Sequence, residues 1–338
     1  MVSMKDEILS RIQKKFPLVA KPFEAIANEL GISEDEVLAI LQEEKKNGII
    51  RQTSAIFDTK RLGYKSSLVA FKVPADKIDA AVEIINSHPG ISHNYERNHD
   101  FNIWFTLGVS PDSILGLDKT VEILAKLTEA DDYIMLPTLK LFKINVKLNT
   151  TGKDDKKEKV KKVVHTEIEM TPLHNAIVRR AQYDIDIVSE PFKKITDELN
   201  ISYDEFFSIL KELQEAGIMR RFASILNHRK AGFNANAMVV WDVDEGEKGE
   251  AIGATAAAFS AVSHCYLRPK YPNWPYNLFT MVHGKTKEET NGIIAEMATE
   301  IDSRSHMPLY SSREFKKVRI EYFTPAIEAW ETKYSKEA

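Results

Sequence analysis

Two copies of one short motif hold the residues best suited to chemistry. The motif Ser92-His93-x-Tyr95-x-Arg97 returns 171 residues later as Ser263-His264-x-Tyr266-x-Arg268. Histidine exchanges protons near neutral pH and binds metals through a ring nitrogen, whereas arginine binds carboxylates through two parallel hydrogen bonds. The repeated motif therefore suits proton transfer and the binding of an anionic ligand.

The motif lies inside a longer internal repeat. A segment near the start recurs at an offset of 169, as Pro22-Phe23-x-x-Ile26-x-x-Glu29-Leu30 and Pro191-Phe192-x-x-Ile195-x-x-Glu198-Leu199. Asn102 matches Asn277 at an offset of 175. The chain is therefore a duplicated unit of about 150 residues. The polar, lysine-rich stretch between the copies, at 149–165, is predicted to be a solvated linker.

The hydrophobic periodicity changes partway through each copy. Residues 4–47 and 170–216 each predict three short amphipathic helices. The extended segments that follow, 49–57 and 218–226, complete two winged helix-turn-helix units. The remainder of each copy alternates strand and helix in the order β-α-β-β-α-β, which predicts a ferredoxin-like sheet with both helices on one face.

The predicted fold class is α+β, with a winged helix-turn-helix and a ferredoxin-like domain in each copy. The uncovered face of each sheet needs a partner, and the other copy's sheet supplies one. The two sheets are therefore predicted to pack as an intramolecular pseudo-dimer. The predicted domains are helix-turn-helix units at 1–57 and 166–226, ferredoxin-like domains at 58–148 and 227–338, and the linker at 149–165.

Charge argues against a dedicated nucleic-acid binder. The chain has a formal net charge of −4, and its two would-be recognition helices, at 33–46 and 202–215, each carry −3. A helix in the major groove needs basic and amide side chains instead. Exposed aromatic residues, such as Phe206 and Phe207, are expected to suit a protein interface better than a groove. We therefore expect no DNA partner.

Other bulk features favour the cytoplasm. No apolar run approaches the ~20 residues that span a bilayer, so no membrane partner is expected. The N-terminal residues lack the apolar core of a signal peptide. The single cysteine, Cys265, cannot form an internal disulfide. Further pairing of pseudo-dimers into a homo-oligomer stays open.

Two strings around the repeated motif carry a family resemblance. They are HNYERNHDFNIWFT at 93–106 and HCYLRPKYPNWPYNLFTMVHG at 264–284. A helix-turn-helix followed by a ferredoxin-like ligand domain resembles the leucine-responsive (Lrp/AsnC) regulator family over nearly the whole of each copy. Within that family, the two strings resemble the sirohaem decarboxylases, and the chain resembles a fusion of their two subunit types.

The resemblance implies a reaction. It implies removal of carbon dioxide from two acetate side chains of sirohaem, giving 12,18-didecarboxysirohaem for alternative haem or haem d1 biosynthesis. It implies no cofactor beyond the iron that the substrate carries, and no metal held by the protein itself. The main alternative is a ligand-responsive Lrp/AsnC-type transcription regulator, and a second is a haem-binding module without activity.

Sirohaem is a flat iron-bearing ring with eight carboxylates, so its site needs cations, aromatic surface and an imidazole. The candidates for substrate binding are Arg51, Arg97, Arg220, Arg221, Arg268, Lys270, Trp274, Tyr276, Asn277 and Arg313. The candidates for catalysis are His99, His283, His264 and Tyr271, since decarboxylation requires a proton for the new methyl group. The iron of the substrate has His93 or His283 as its candidate ligand.

The two copies differ in one hairpin. Asn102 follows Arg97 by five positions, whereas Asn277 follows Arg268 by nine, and the longer loop holds prolines at 269, 272 and 275. The sequence thus predicts unequal pockets, with the productive one covered by the longer loop. Shortening 269–275 is expected to abolish turnover and to leave the fold intact.

Overall fold

The computed structural model describes residues 3–144, 166–226 and 235–335. The predicted linker at 149–165 lies outside the described residues. The described chain divides into two compact units, one from 3–64, 166–226 and 321–325, and the other from 65–144, 235–320 and 326–335. None of the helices in these ranges has the length and apolar character to cross a membrane.

The described residues form eleven helices and eleven strands, besides a 3-10 turn at Ala75–Lys77. In chain order they are α1 (Met4–Lys14), α2 (Pro22–Leu30), α3 (Glu34–Lys46), β1 (Ile50–Phe57), β2 (Lys65–Lys72), α4 (Ile78–Ser87), β3 (Ile91–Arg97), β4 (Ile103–Val109), α5 (Gly116–Leu127), β5 (Asp132–Pro137), β6 (Lys140–Ile144), α6 (Pro172–Ala181), α7 (Lys193–Leu199), α8 (Tyr203–Glu215), β7 (Met219–Leu226), β8 (Ala235–Asp242), α9 (Gly246–Ala258), β9 (Val262–Leu267), β10 (Leu278–Gly284), α10 (Lys287–Glu300), β11 (Ser305–Lys317) and α11 (Pro325–Tyr334).

The first unit contains both helix-turn-helix copies. Helix α2 ends at Gly31, whose φ of 68° suits a residue without a side chain, and α3 begins with a capping box between Ser33 and Glu36. Strands β1 and β7 pair antiparallel, so the two copies join through their extended segments. Phe206 is fully buried rather than exposed, which corrects the expectation that it forms an interface.

The second unit contains both ferredoxin-like copies. Its described strands form one nine-stranded sheet in the order β5-β2-β4-β3-β11-β8-β10-β9-β6. The last strand of each copy is shared: β11 pairs first with β8 of its own copy and then with β3 of copy one. In copy one, β5 pairs with β2, and β6 pairs with β9 of copy two. The exchanged strand ends join the two sheets edge to edge.

Three apolar cores support this sheet. One lies against the helices of copy one, a second against the helices of copy two, and a third combines side chains from both copies. The third contains Trp104, Ile134, Met238, Phe279 and Leu309, which come from the sheet faces that the helices leave uncovered. The predicted fold class, including the intramolecular pseudo-dimer, is confirmed.

His88, at the end of α4, lies wholly inside the second unit. Its Nδ1 accepts a hydrogen bond from the Gly90 backbone N–H at 2.9 Å, and the Trp330 ring of α11 packs edge-on at 4.4 Å. Burial, with a smaller contribution from the positive charge of Lys316, lowers the pKa of His88 to about 3. The imidazole is therefore neutral throughout the physiological range.

This burial predicts acid sensitivity. As the pH falls below the unfolded-state pKa of about 6.5, His88 binds a proton in the unfolded chain but stays neutral in the folded protein. The free energy of unfolding should then fall by about 1.4 kcal/mol per pH unit from this residue, until the folded-state pKa is reached. Urea unfolding at pH 7 and pH 5 should differ by about 2 kcal/mol less in His88→Asn than in the wild type. An equal difference in both proteins would contradict the assignment.

Candidate active site

The repeated motif lines a cavity of about 730 Å³ in the second unit. This volume is within the range of pockets that hold small molecules and cofactors. Because side chains two residues apart share a strand face, the histidine, tyrosine and arginine of each motif enter the cavity together from β3 and β9. His283 on β10 and Arg313, Glu314 and Lys317 on β11 complete its titratable lining.

A local irregularity brings a serine beside each motif histidine. In copy one Ile91 pairs with Leu107 and His93 with Thr106, so Ser92 is an extra residue. In copy two Val262 pairs with Val282 and His264 with Met281, so Ser263 is extra. These β-bulges redirect side chains that would otherwise face away, a common device beside functional sites. Both serines line the cavity.

Arg97 and Arg268 occupy equivalent places in the cavity wall. Arg97 is 7% exposed, donates from Nη1 to the Leu309 carbonyl at 2.7 Å, and lies over the Tyr95 ring at 5.6 Å. Arg268 likewise donates to the Leu136 carbonyl and lies over the Tyr266 ring at 4.9 Å. Burial lowers the pKa of each to about 10, so both remain charged at neutral pH.

Among the described residues, neither of these two guanidinium groups forms an ion pair with a carboxylate, although Glu314 also lines the cavity. The Nε atom of each is buried without a hydrogen-bond partner in the same part of the chain. A buried, unpaired charge carries a large desolvation penalty. The pair therefore indicates an anionic ligand that supplies the missing charge.

Three imidazoles face the same cavity. The His93 and His264 rings stack on the tyrosines of their own motifs, with centroids 6.3 and 6.2 Å apart. Burial lowers the pKa of His93, His264 and His283 below the usual histidine value. Positive charge nearby acts in the same direction, from Lys317 on His93 and from His93 on His264. The neutral form, which is the one that accepts protons or binds metal, is thus favoured.

The structure brings together only part of the predicted site. Arg97, Arg268, Arg313, His93, His264 and His283 line the cavity. Arg313 is already paired with Glu96 and Asp79, unlike the two buried arginines. Arg51, Arg220 and Arg221 lie instead on β1 and β7 of the first unit, where Arg220 pairs with Asp58.

The longer hairpin of copy two faces the core instead of the cavity. Trp274 is 1% exposed and packs against His99, Trp104 and Tyr276. The Tyr271 hydroxyl donates to the Met135 carbonyl, and Lys270 pairs with Asp242. Because shortening this loop removes a large buried side chain, we expect it to destabilise the fold, contrary to the prediction from the sequence.

Two further predicted residues have structural partners. The Asn277 side chain accepts a hydrogen bond from the Val243 backbone N–H at 3.0 Å, as its repeat partner Asn102 does from Val73. His99 accepts from the Phe101 backbone N–H at 2.9 Å, which fixes its tight turn. Neither Asn277 nor His99 lines the cavity.

Sequence reasoning missed several cavity residues. Ser92 and Ser263 occupy the same position in the two motifs, as do Tyr95 and Tyr266, so the repeat itself indicated these cavity residues. Lys317 follows Phe315-Lys316, which repeats Phe142-Lys143, and had no separate signal. Asn236 enters through the pairing of β8 with β10, which the sequence alone does not reveal.

Two family models, each matching both copies of the repeat, define the class of the protein. The family model of the AsnC-like ligand binding domain matches residues 61–143 and 230–316, and that of the siroheme decarboxylase NirDL-like HTH domain matches 5–51 and 174–220. The chain is thus a duplicated helix-turn-helix protein with two AsnC-like ligand-binding domains, which confirms the predicted Lrp/AsnC relationship.

Full-length relatives then assign the family. A siroheme decarboxylase of Hydrogenobacter thermophilus is 41% identical, over 96% of this chain and 96% of that protein. The siroheme decarboxylase NirDL subunit of Paracoccus denitrificans is 30% identical over 92% and 94%. The crystal structure of the siroheme decarboxylase NirDL in co-complex with an iron-uroporphyrin III analogue matches with a TM-score of 0.80 and 36% identity, over 98% of each chain. The chain belongs to the siroheme decarboxylase family, in its fused, single-chain form.

Proposed function

We propose that this chain is a carboxy-lyase that binds sirohaem in the cavity and removes carbon dioxide from two of its acetate side chains. The product is 12,18-didecarboxysirohaem. The observation that carries the proposal is the pair of buried guanidinium groups, Arg97 and Arg268, which lack carboxylate partners among the described residues. The name of the relatives, and the iron-uroporphyrin analogue bound to one of them, support a tetrapyrrole with several carboxylates.

The cavity suits both the carboxylates and the flat ring of such a ligand. Arg97 and Arg268 bind its carboxylates through charge-assisted hydrogen bonds that gain strength in a buried site. Trp104 and Phe279 contribute apolar surface to the same lining, and the stacked His93–Tyr95 and His264–Tyr266 pairs add flat surface. A planar ring edged with anions is complementary to this mixture.

The reaction replaces one bond at each acetate. The bond between the methylene carbon and the carboxylate breaks, carbon dioxide leaves, and the electron pair is delocalised into the macrocycle. A proton then reaches the methylene carbon and gives a methyl group. His93 and His264 are the titratable groups of the cavity best matched to that proton transfer at neutral pH. Both ring nitrogens of His283 are instead within hydrogen-bond distance of protein side chains, Asn236 and Ser263.

We also propose that the reaction needs no cofactor beyond the iron of the substrate. The lone cysteine, Cys265, is buried, and its presence as the only thiol favours the reducing cytoplasm as the compartment. The product serves either alternative haem or haem d1 biosynthesis.

An anaerobic incubation tests the function directly. Purified protein and sirohaem alone should give a product whose mass is lower by two carbon dioxide units. Protein inactivated by heat provides the control for spontaneous loss. Sirohaem recovered unchanged, from a protein that binds it, would refute the proposal and leave a binding module.

The regulator alternative predicts a different result. The first turn of α3 carries Glu34, Asp35 and Glu36, and that of α8 carries Asp204 and Glu205. Such carboxylates repel DNA phosphates, whose neutralisation by cations supplies much of the affinity of DNA-binding proteins. We expect no shift of promoter DNA at physiological salt in a gel-mobility assay, with or without sirohaem. A specific shift would favour the regulator.

A further inference from the structure

A chain of four polar side chains runs along one wall of the cavity. The Asn236 Oδ1 lies 2.8 Å from His283 Nδ1, the His283 Nε2 lies 2.6 Å from Ser263 Oγ, and Ser263 Oγ lies 2.7 Å from His264 Nδ1. Each of these distances is that of a hydrogen bond. Three hydrogen bonds between neutral side chains need three protons. The side-chain amide of Asn236, at one end of the chain, determines which atom carries each proton.

The amide oxygen of Asn236 only accepts hydrogen bonds, so His283 carries its proton on Nδ1. The Nε2 of neutral His283 then has a lone pair and accepts from the Ser263 hydroxyl. With its proton used in this way, the Ser263 oxygen accepts from Nδ1–H of His264. The remaining nitrogen of His264, Nε2, is left with its lone pair.

Copy one lacks this chain. The sheet register pairs His93 with Thr106 and His264 with Met281, so the position two residues further on is Gly108 in copy one and His283 in copy two. A side chain at Gly108 would meet the Ile320 Cδ1 atom at 2.6 Å. Ser66 pairs with Gly108 where Asn236 pairs with His283.

His93 therefore has a simpler environment. Its Nδ1 lies 3.0 Å from Ser92 Oγ, and a hydroxyl either donates or accepts. Within the described part of the chain, no further hydrogen bond of the Ser92 hydroxyl selects one of these directions. Both tautomers of His93 are compatible with this contact.

We propose that Asn236, His283 and Ser263 are positioning residues that hold the proton of His264 on Nδ1. His264 then always presents Nε2 to the ligand as an acceptor, whereas His93 presents either a donor or an acceptor. The two halves of the pseudo-symmetric cavity thereby take different chemical roles. The consequence for turnover rests on the proposed function, but the tautomer itself does not.

The tautomer is measurable on the free protein. Protein with ¹⁵N-labelled histidine should show, in two-bond ¹H–¹⁵N correlation spectra above pH 8, a His264 with a protonated Nδ1 and an unprotonated Nε2. His264→Asn assigns the signal. In Ser263→Ala the proton should move to Nε2, the nitrogen that carries it in most unconstrained neutral histidines. The matched variant Ser92→Ala in copy one should leave the His264 signals in place.

The rate of decarboxylation, kcat, provides a second test. Removing the hydrogen-bond partner that orients a metal-bound histidine typically reduces activity or affinity about 10–100-fold, and we apply the same range to the orientation of His264. We expect Ser263→Ala to lower kcat by at least about tenfold, and Ser263→Thr, which keeps the hydroxyl, to restore most of it. A wild-type His264 protonated on Nε2, or signals unchanged in Ser263→Ala, would overturn the inference. Because the spectra need no sirohaem, a failure to decarboxylate would refute the function separately.

Discussion

Replacing Arg268 with methionine should lower kcat/KM for sirohaem about 100-fold while leaving the free energy of unfolding unchanged or higher. A hydrogen bond to a charged group contributes about 1.5–3 kcal/mol, which corresponds to roughly 10- to 150-fold in binding or rate. In the free protein the same guanidinium is buried without a carboxylate partner among the described residues, so its removal relieves a desolvation penalty. The Leu136 carbonyl loses its donor, which offsets part of that gain. Anaerobic steady-state kinetics and urea unfolding measure the two effects.

Two related variants sharpen the test. Arg97→Met should behave in the same way, because Arg97 has the equivalent partners, Leu309 and Tyr95. Arg313→Met should lose less than about tenfold, since Arg313 is exposed to solvent and already paired with Glu96 and Asp79. If Arg268→Met lost several kcal/mol of stability at unchanged kcat/KM, the guanidinium would be structural, and the charge argument for the ligand would fail.

The repeat made much of the architecture predictable. Two copies of a β-α-β-β-α-β order, each with one uncovered sheet face, leave few ways to bury that face other than against each other. Residues four apart on a strand share a face, so His93 lies with Arg97 and His264 lies with Arg268. The sequence predicted two unequal pockets, whereas the structure brings both motifs into one cavity.

The exchange of strand ends was not predictable in this way. Strand β11 leaves β8 after residue 310 and continues along β3, a choice that depends on the relative placement of the two sheets. The same limit applies to Arg51, Arg220 and Arg221, whose residue type suggested the substrate although they lie on the sheet of the other unit. Residue type alone does not reveal which unit a strand joins.

Aromatic residues gave the most misleading signal. Tyr271, Trp274 and Tyr276 lie in the proline-containing loop, where a ligand-stacking surface and a buried core residue have the same composition. The structure buries Trp274 in the core, and Tyr271 and Tyr276 are partly buried against the same core. A fused chain allows the two copies to differ in this way, whereas a homodimer of identical copies would carry every side chain twice. Here His283 occurs once, in a cavity whose proposed ligand also lacks twofold symmetry, and Trp274 occurs once, in the apolar core.

Replacing Trp274 with alanine should lower the free energy of unfolding by about 3–5 kcal/mol, the usual effect of removing a large aromatic side chain from a core. Trp274 is 1% exposed and contacts aromatic rings from both copies, with centroids 5.3 Å from Trp104, 6.0 Å from Phe101 and 6.4 Å from Phe279. Its Nε1 has no hydrogen-bond partner among the described residues, so Trp274→Phe loses packing only and should cost less. Urea unfolding followed by circular dichroism measures both.

The neighbouring Asn273 provides a matched control in the same loop. Its side chain is exposed and donates to Asp132 at 2.7 Å, and an exposed substitution of this kind changes stability by less than about 0.5 kcal/mol. Shortening 269–275 to the length of copy one should resemble Trp274→Ala, because both empty the same part of the core. If Trp274→Ala kept its stability but lost affinity for sirohaem, the tryptophan would belong to the binding surface. The longer hairpin would then cover the ligand, as its composition first suggested.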